Sequence, residues 1–96
     1  MERKLHKLKS IETNFFGVEG CVQIRKDDRD FCIDDAIILC EIGPDGKKTG
    51  YQQAGVIKHV IREFEGLQDG YVVLVISPVD ILIHDEVKYV TKKKNQ

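Results

Sequence analysis

A chain of 96 residues suffices for one compact domain with a single core and is too short for two. Hydrophobic residues at 42% and charged residues at 32% argue against disorder, and apolar runs far below spanning length argue against insertion in a membrane. Fifteen Lys/Arg against sixteen Asp/Glu leave a net charge of -1, so any attraction for nucleic acid must come from a local patch.

The start, Met1-Glu2-Arg3-Lys4, leads into alternating polar and apolar residues instead of the apolar stretch of a secretory signal, which predicts a cytoplasmic protein. Residues 4–9 alternate as a short edge strand would. Ser10 is placed to cap a short helix over 11–19, with Ile11, Phe15 and Val18 on one face, and Gly17 and Gly20 help to end it. From Cys21 the period becomes that of a strand: Val22 and Ile24 point one way, while Cys21, Gln23 and Arg25 point the other. Asp27-Asp28-Arg29-Asp30 reads as a loop, with Phe31 and Ile33 as apolar anchors before a turn at Asp34-Asp35.

Ala36–Ile42 is almost wholly apolar and predicts a strand covered on both faces. Pro44-Asp45-Gly46 starts a hairpin through the polar tip Lys47-Lys48-Thr49-Gly50. In the next segment Val56, Ile57, Val60, Ile61 and Phe64 fit one face of a helix, although four of the five are β-branched. A turn over 65–70 precedes the clearest strand, Tyr71–Ile76, which Pro78 is expected to end. Val79–Val90 offers one further strand, and Lys92-Lys93-Lys94-Asn95-Gln96 reads as a solvated end whose lysines add at most weak phosphate attraction. The pattern as a whole predicts a β-rich α+β domain or partly open barrel over residues 1–78, with 79–96 as an extension.

The block Gln23-Ile24-Arg25-Lys26-Asp27-Asp28-Arg29-Asp30-Phe31, followed by Ile33-Asp34-Asp35 and the strand at Ile37-Ile38-Leu39, resembles the bacterial and phage family DUF3850. That family carries an E-I-R-K-N-D-R-x-F-x-V-G-D segment ahead of an apolar strand. His6-x-Leu8-Lys9 and Gly66-Leu67-Gln68-Asp69-Gly70-Tyr71-Val72-Val73-Leu74 agree in order with it, so the resemblance covers most of residues 6–76. The family looks like a branch of the ASCH domains, themselves similar to PUA domains. The resemblance therefore implies a small PUA-like β-barrel with one or two short flanking helices, and it makes Val56–Ile61 a strand against the helical pattern. It also implies a role in binding RNA or a nucleotide-like ligand, or in hydrolysing the acyl amide of a modified nucleoside. This chain departs from the pattern at Gln23, which replaces Glu, at Asp34, which replaces Gly, and at Gly20-Cys21-Val22, a shortened turn without the usual lysine.

Arg25, Lys26 and Arg29 lie within five residues, where two guanidinium forks and an ammonium can hold phosphate or base edges; Asp27, Asp28 and Asp30 can equally neutralise them. Lys9 joins these cations if the first strand runs alongside, Gln23 shares the face of Arg25, and Tyr71 offers a ring for stacking or for the barrel rim. These six residues are the candidate ligand site. No catalytic set is assigned: the Lys and Thr of the related acetylcytidine amidohydrolases correspond to positions near Gly20 and Gln23, which cannot replace them. Cys21, Cys32 and Cys40 match neither a metal pair nor a disulfide framework and read as reduced, mostly buried thiols. His84-Asp85-Glu86, taken as strand residues on alternating faces, has no partner spacing for a metal, and His6 reads as a packing residue. The leading expectation is a non-catalytic module for RNA or a nucleotide-like ligand, without cofactor, metal or membrane, acting as a monomer or weak dimer. The alternatives are a small nucleoside amidohydrolase and a protein-interaction accessory factor of a phage or bacterium.

Overall fold

The computed structural model describes residues 3–11, 21–63 and 65–92. Seven strands follow in chain order: β1 (Leu5–Ile11), β2 (Cys21–Lys26), β3 (Ala36–Ile42), β4 (Lys48–Ile61), β5 (Tyr71–Val79), β6 (Ile81–His84) and β7 (Val87–Val90). The first five form one curled half-barrel sheet in the order β1-β3-β4-β5-β2, and β6 and β7 form a separate hairpin. Among the described residues there is no helix, so the β-rich part of the expectation holds and the flanking helices do not appear. The helix expected over 11–19 lies outside the described residues except at Ile11, which ends β1.

The most deeply buried strand segment is in β3, an interior strand whose Ala36, Ile37, Ile38 and Leu39 are all buried because both of its faces are covered. On the concave face Ile37 and Leu39 join Leu8, Phe31, Ile57, Val72, Leu74 and Ile76. On the convex face Ala36 and Ile38 join Ala54 and Leu82, with Tyr89 packed against them from β7. The 79–92 segment thus supplies the cover for the back of the sheet. Thr91 fastens it: its Oγ1 donates to Val79 O at 2.7 Å and accepts from the Ala54 amide at 2.9 Å. At the hairpin's far end His84 Nε2 donates to Arg3 O at 2.6 Å.

Two irregularities let the sheet curl. Between Ile57 and His59 the β4–β5 register shifts by a bulge, which bends β4 and adds twist. At Gly55 the strands come so close that an added Cβ would stand 2.5 Å from Ile76 Cγ2 and 2.9 Å from Ser77 O. Only a residue without a side chain allows that approach.

Val56–Ile61 is strand, as the family resemblance implies against the helical pattern, while three other sequence expectations are corrected. Pro78 does not end β5, which continues to Val79; past the Cys21↔Ile76 pair β5 is bonded, among the described residues, only to β4, and a residue lacking N–H is tolerated on a strand side without a ladder partner. Val79–Val90 holds two short strands, and Asp85 and Glu86 are the turn between them, with φ of 48° and 65°. Both central residues of a two-residue hairpin turn need positive φ to match the strand twist, and the pair therefore belongs to the turn and not to a strand. Cys32 and Cys40 are free thiols as expected, but half-buried.

Candidate functional site

Because β1 and β2 are the two edges of an open sheet, the curl brings them face to face across a seam. Strand alternation turns Val22 and Ile24 outward, 63% and 62% exposed, and Gln23 inward, 5% exposed. From the inward side Arg25 reaches across the seam: its Nη2 donates to Lys9 O at 2.6 Å and to Gln23 Oε1 at 2.8 Å. Four residues on, Arg29 Nη1 donates to Lys7 O at 3.2 Å. The carbonyls of Lys7 and Lys9 are two residues apart on β1, the interval at which a strand presents carbonyls to a neighbour. Two guanidinium groups therefore occupy places that the amides of a sixth strand would take.

The β2–β3 loop is fixed at its far end by a buried pair. Asp35 and His6 are 3% and 6% exposed, and His6 Nε2 donates to Asp35 Oδ2 at 2.8 Å. The same carboxylate accepts the amides of Cys32 at 3.0 Å and Lys4 at 3.2 Å. Burial alone would raise the Asp35 carboxyl, but the hydrogen bonds from His6, Cys32 and Lys4 outweigh it and hold the group below its ordinary range. The Phe31 ring, 1% exposed, lies 4.7 Å from the His6 ring and seals the base of the loop.

Two of the loop's acids are drawn away from its own cations. Arg62, from beyond the end of β4, donates its Nε to Asp27 Oδ2 at 2.7 Å and its Nη2 to Phe31 O at 2.8 Å. Lys4 pairs with Asp30 at 3.0 Å. Both cations have raised pKa values, each chiefly through the hydrogen bond to its aspartate. Asp28 alone faces Arg29, at the loose distance of 3.8 Å. The self-neutralising loop suggested by composition is therefore only partly realised.

Between the β1 edge and this loop lies an open cleft of about 220 Å³ lined by Leu8, Arg25, Lys26, Asp28, Arg29 and Phe31. Of the residues singled out from sequence, Arg25, Lys26 and Arg29 meet here, and Gln23 holds Arg25. Lys9 contributes its carbonyl; its exposed side chain alternates to the face of β1 opposite Leu8. Tyr71 pairs with Lys26 in the ladder and is half-buried, but it does not line the cleft. Sequence reasoning missed Arg62 and Lys4, whose partners lie 35 and 26 residues away and leave no local signal. His6 and Asp35 each fall within a family-like block, and that coincidence was the available clue to their pairing. Among the described residues no group of three or more His, Cys, Asp or Glu is placed to hold a metal ion, and no helix is long and apolar enough to cross a membrane.

Fold and site together define a curled five-stranded β half-barrel with a cationic cleft at its seam. Residues 5–76 match the family described as a domain of unknown function (DUF3850), and the chain belongs to that family. The match ends within β5, ahead of the β6–β7 hairpin. No curated protein matches the sequence.

Proposed function

We propose that this protein is a non-catalytic binding module for RNA or a nucleotide-like anion, with the ligand held in the seam cleft. The observation that carries this reading is the separation of charges: Arg25, Lys26 and Arg29 line the cleft while Asp27 and Asp30 are engaged by Arg62 and Lys4. Charge-assisted hydrogen bonds from guanidinium forks are the usual means of holding phosphate oxygens. The apolar floor of Leu8 and Phe31 lowers the local dielectric and strengthens them. On this reading the half-barrel is a PUA-like, ASCH-type domain, a placement that its open, strongly curled sheet supports. Cys32 and Cys40 are unbridged thiols, which supports work in a reducing compartment such as the cytoplasm.

The test is fluorescence anisotropy with short labelled RNA, with labelled nucleotides as a second probe, at low salt. Binding should weaken linearly in log-log form as salt rises, and Arg29→Ala should reduce affinity about tenfold while leaving the unfolding transition in place. Absence of binding to RNA, DNA and nucleotides alike at low ionic strength would overturn the proposal.

A further inference from the structure

The charges of the chain nearly cancel, yet the back of the sheet carries a row of lysines that no described acid neutralises. On β1, Lys7 and Lys9 alternate with Leu8 and stand exposed on the convex side. The register carries the row across the sheet: Lys9 pairs with Cys40, Cys40 with Gln52, and Gln52 is bridged to Lys92. Lys48 lies opposite Ile42, two residues on from Cys40. Cross-strand partners share a face, so Lys9, Lys48 and Lys92 all project from the back.

The β6–β7 hairpin covers the lower part of this face, over Ala36, Ile38 and Ala54, and stops short of the row, where Cys40, Ile42 and Gln52 are only half-buried. The result is a shelf beside the hairpin. Lys7 marks its border: its Nζ lies 5.3 Å from the centre of the Tyr89 ring, a cation–π contact that holds the ammonium in place. None of Lys7, Lys9, Lys48 and Lys92 forms an ion pair with a described residue. Glu41, next to Cys40, turns to the other face and is 1% exposed. Asp45 stays in the β3–β4 turn, accepting the Lys47 amide at 3.0 Å. The hairpin's acids, Asp80, Asp85 and Glu86, stand at its two turns.

We infer that this shelf docks double-stranded DNA through its phosphate backbone, without reading its sequence. Ammonium groups are compact charges with three donors each, suited to phosphate oxygens. Lys7 and Lys9 are separated by about 6.6–6.8 Å along the strand, and Lys9 and Lys92 by three strand spacings, about 14 Å. A duplex carries one negative charge per about 1.7 Å of its axis, so that width faces about eight phosphates and each lysine can meet one.

Three other polyanions fit less well. A single strand is held largely by bases stacked on aromatic rings, and the ring at the shelf, Tyr89, already lies under Lys7. Duplex RNA is distinguished through its 2′-hydroxyls, whereas lysines address phosphate alone. A flat anionic membrane would rest on the hairpin, which stands a layer of about 10 Å above the sheet, and would be held away from Lys9 and Lys48. The shelf is also separate from the seam cleft, because the Lys9 side chain and Leu8, which lines the cleft, point to opposite sides of β1.

The deciding experiment is fluorescence anisotropy with a short labelled DNA duplex across a salt series. With four lysines on four phosphates, log affinity should fall against log salt with a slope of about −3.6, a loss of about 100-fold between about 50 and 200 mM. A duplex of unrelated sequence should bind as tightly. Lys48→Ala with Lys92→Ala removes two contacts at exposed positions, so the slope should shrink to about −1.8 and affinity at low salt should fall at least about tenfold, while far-UV dichroism and Tm stay those of the parent. An unchanged slope in that variant, tighter binding of the matching RNA duplex, or lysine-dependent binding of phosphatidylserine vesicles in place of DNA would each overturn the inference. Binding of nucleotides or single-stranded RNA with none of the duplex would overturn it too, and would leave the function proposed for the cleft standing.

Discussion

Replacing Asp35 with Ala removes one carboxylate that accepts three hydrogen bonds, from His6 Nε2, the Cys32 amide and the Lys4 amide. The amides of Cys32 and Lys4 lie in half-buried residues that water can reach, so their loss is partly made good. The His6 ring is not, since it sits 6% exposed under the loop against Phe31. Stripping the partner from a buried, charge-assisted pair costs about 3–5 kcal/mol. For a domain of this size, in which about 1 kcal/mol moves Tm by 4–8 °C, that corresponds to a fall of roughly 12–40 °C. Urea unfolding followed by circular dichroism measures the free energy directly.

The pH dependence gives a second readout from the same site. The folded pKa of Asp35 is lowered from its ordinary value of 3.8, so its stabilisation is fully present above that value and fades as pH falls through the lower folded pKa. The difference in stability between the parent and Asp35→Asn should therefore be flat at neutral pH and shrink below about pH 4. A loss of less than about 1 kcal/mol for Asp35→Ala, or a difference that grows towards acid, would refute the reasoning.

Gly55→Ala should destabilise by about 1–3 kcal/mol in urea unfolding, because the new methyl group meets Ser77 O as well as the Ile76 side chain and backbone must shift. Thr91→Val should leave the Ala54 amide and the Val79 carbonyl without the hydroxyl; hydrogen exchange over residues 81–90 should speed up about tenfold while β3 stays protected. Asp28→Asn removes the carboxylate that, among the described residues, lines the cleft and should tighten binding of a nucleoside monophosphate several-fold, by about 0.5–1 kcal/mol in titration calorimetry. Arg62→Met releases Asp27 beside the cleft and should weaken the same binding by a similar factor.

The fold was most legible where the chain is apolar without interruption. β3 over Ala36–Cys40 and β5 over Val72–Ile76 announce themselves because packing uses both faces there, so no charged or strongly polar residue breaks either run. β4 was ambiguous for a physical reason. The bulge between Ile57 and His59 inserts a residue into the two-residue alternation, and Ile57 and Val60 reach the same core three positions apart, as they would on a helix. Asp85-Glu86 lacks the Asn-Gly or Asp-Gly signature of a tight hairpin, so the β6–β7 turn was read as part of a strand. At the site, the adjacency of Arg25, Lys26 and Arg29 was visible because it is local. The fate of the neighbouring aspartates was not, since Arg62 and Lys4 are brought to them only by the curl of the sheet.

The strand order has a kinetic consequence. β3, β4 and β5 follow one another as a meander joined by short connections, but β2 must pair with β5 from about 50 residues away in sequence. Loop-closure entropy makes such a pairing late, so the meander is the natural nucleus, with β2 zipping onto it and β1 joining β3 in parallel. The seam can form only after both of those strands have docked. Arg25 therefore reports on the last step of folding: its substitution should accelerate unfolding and leave the folding rate nearly untouched.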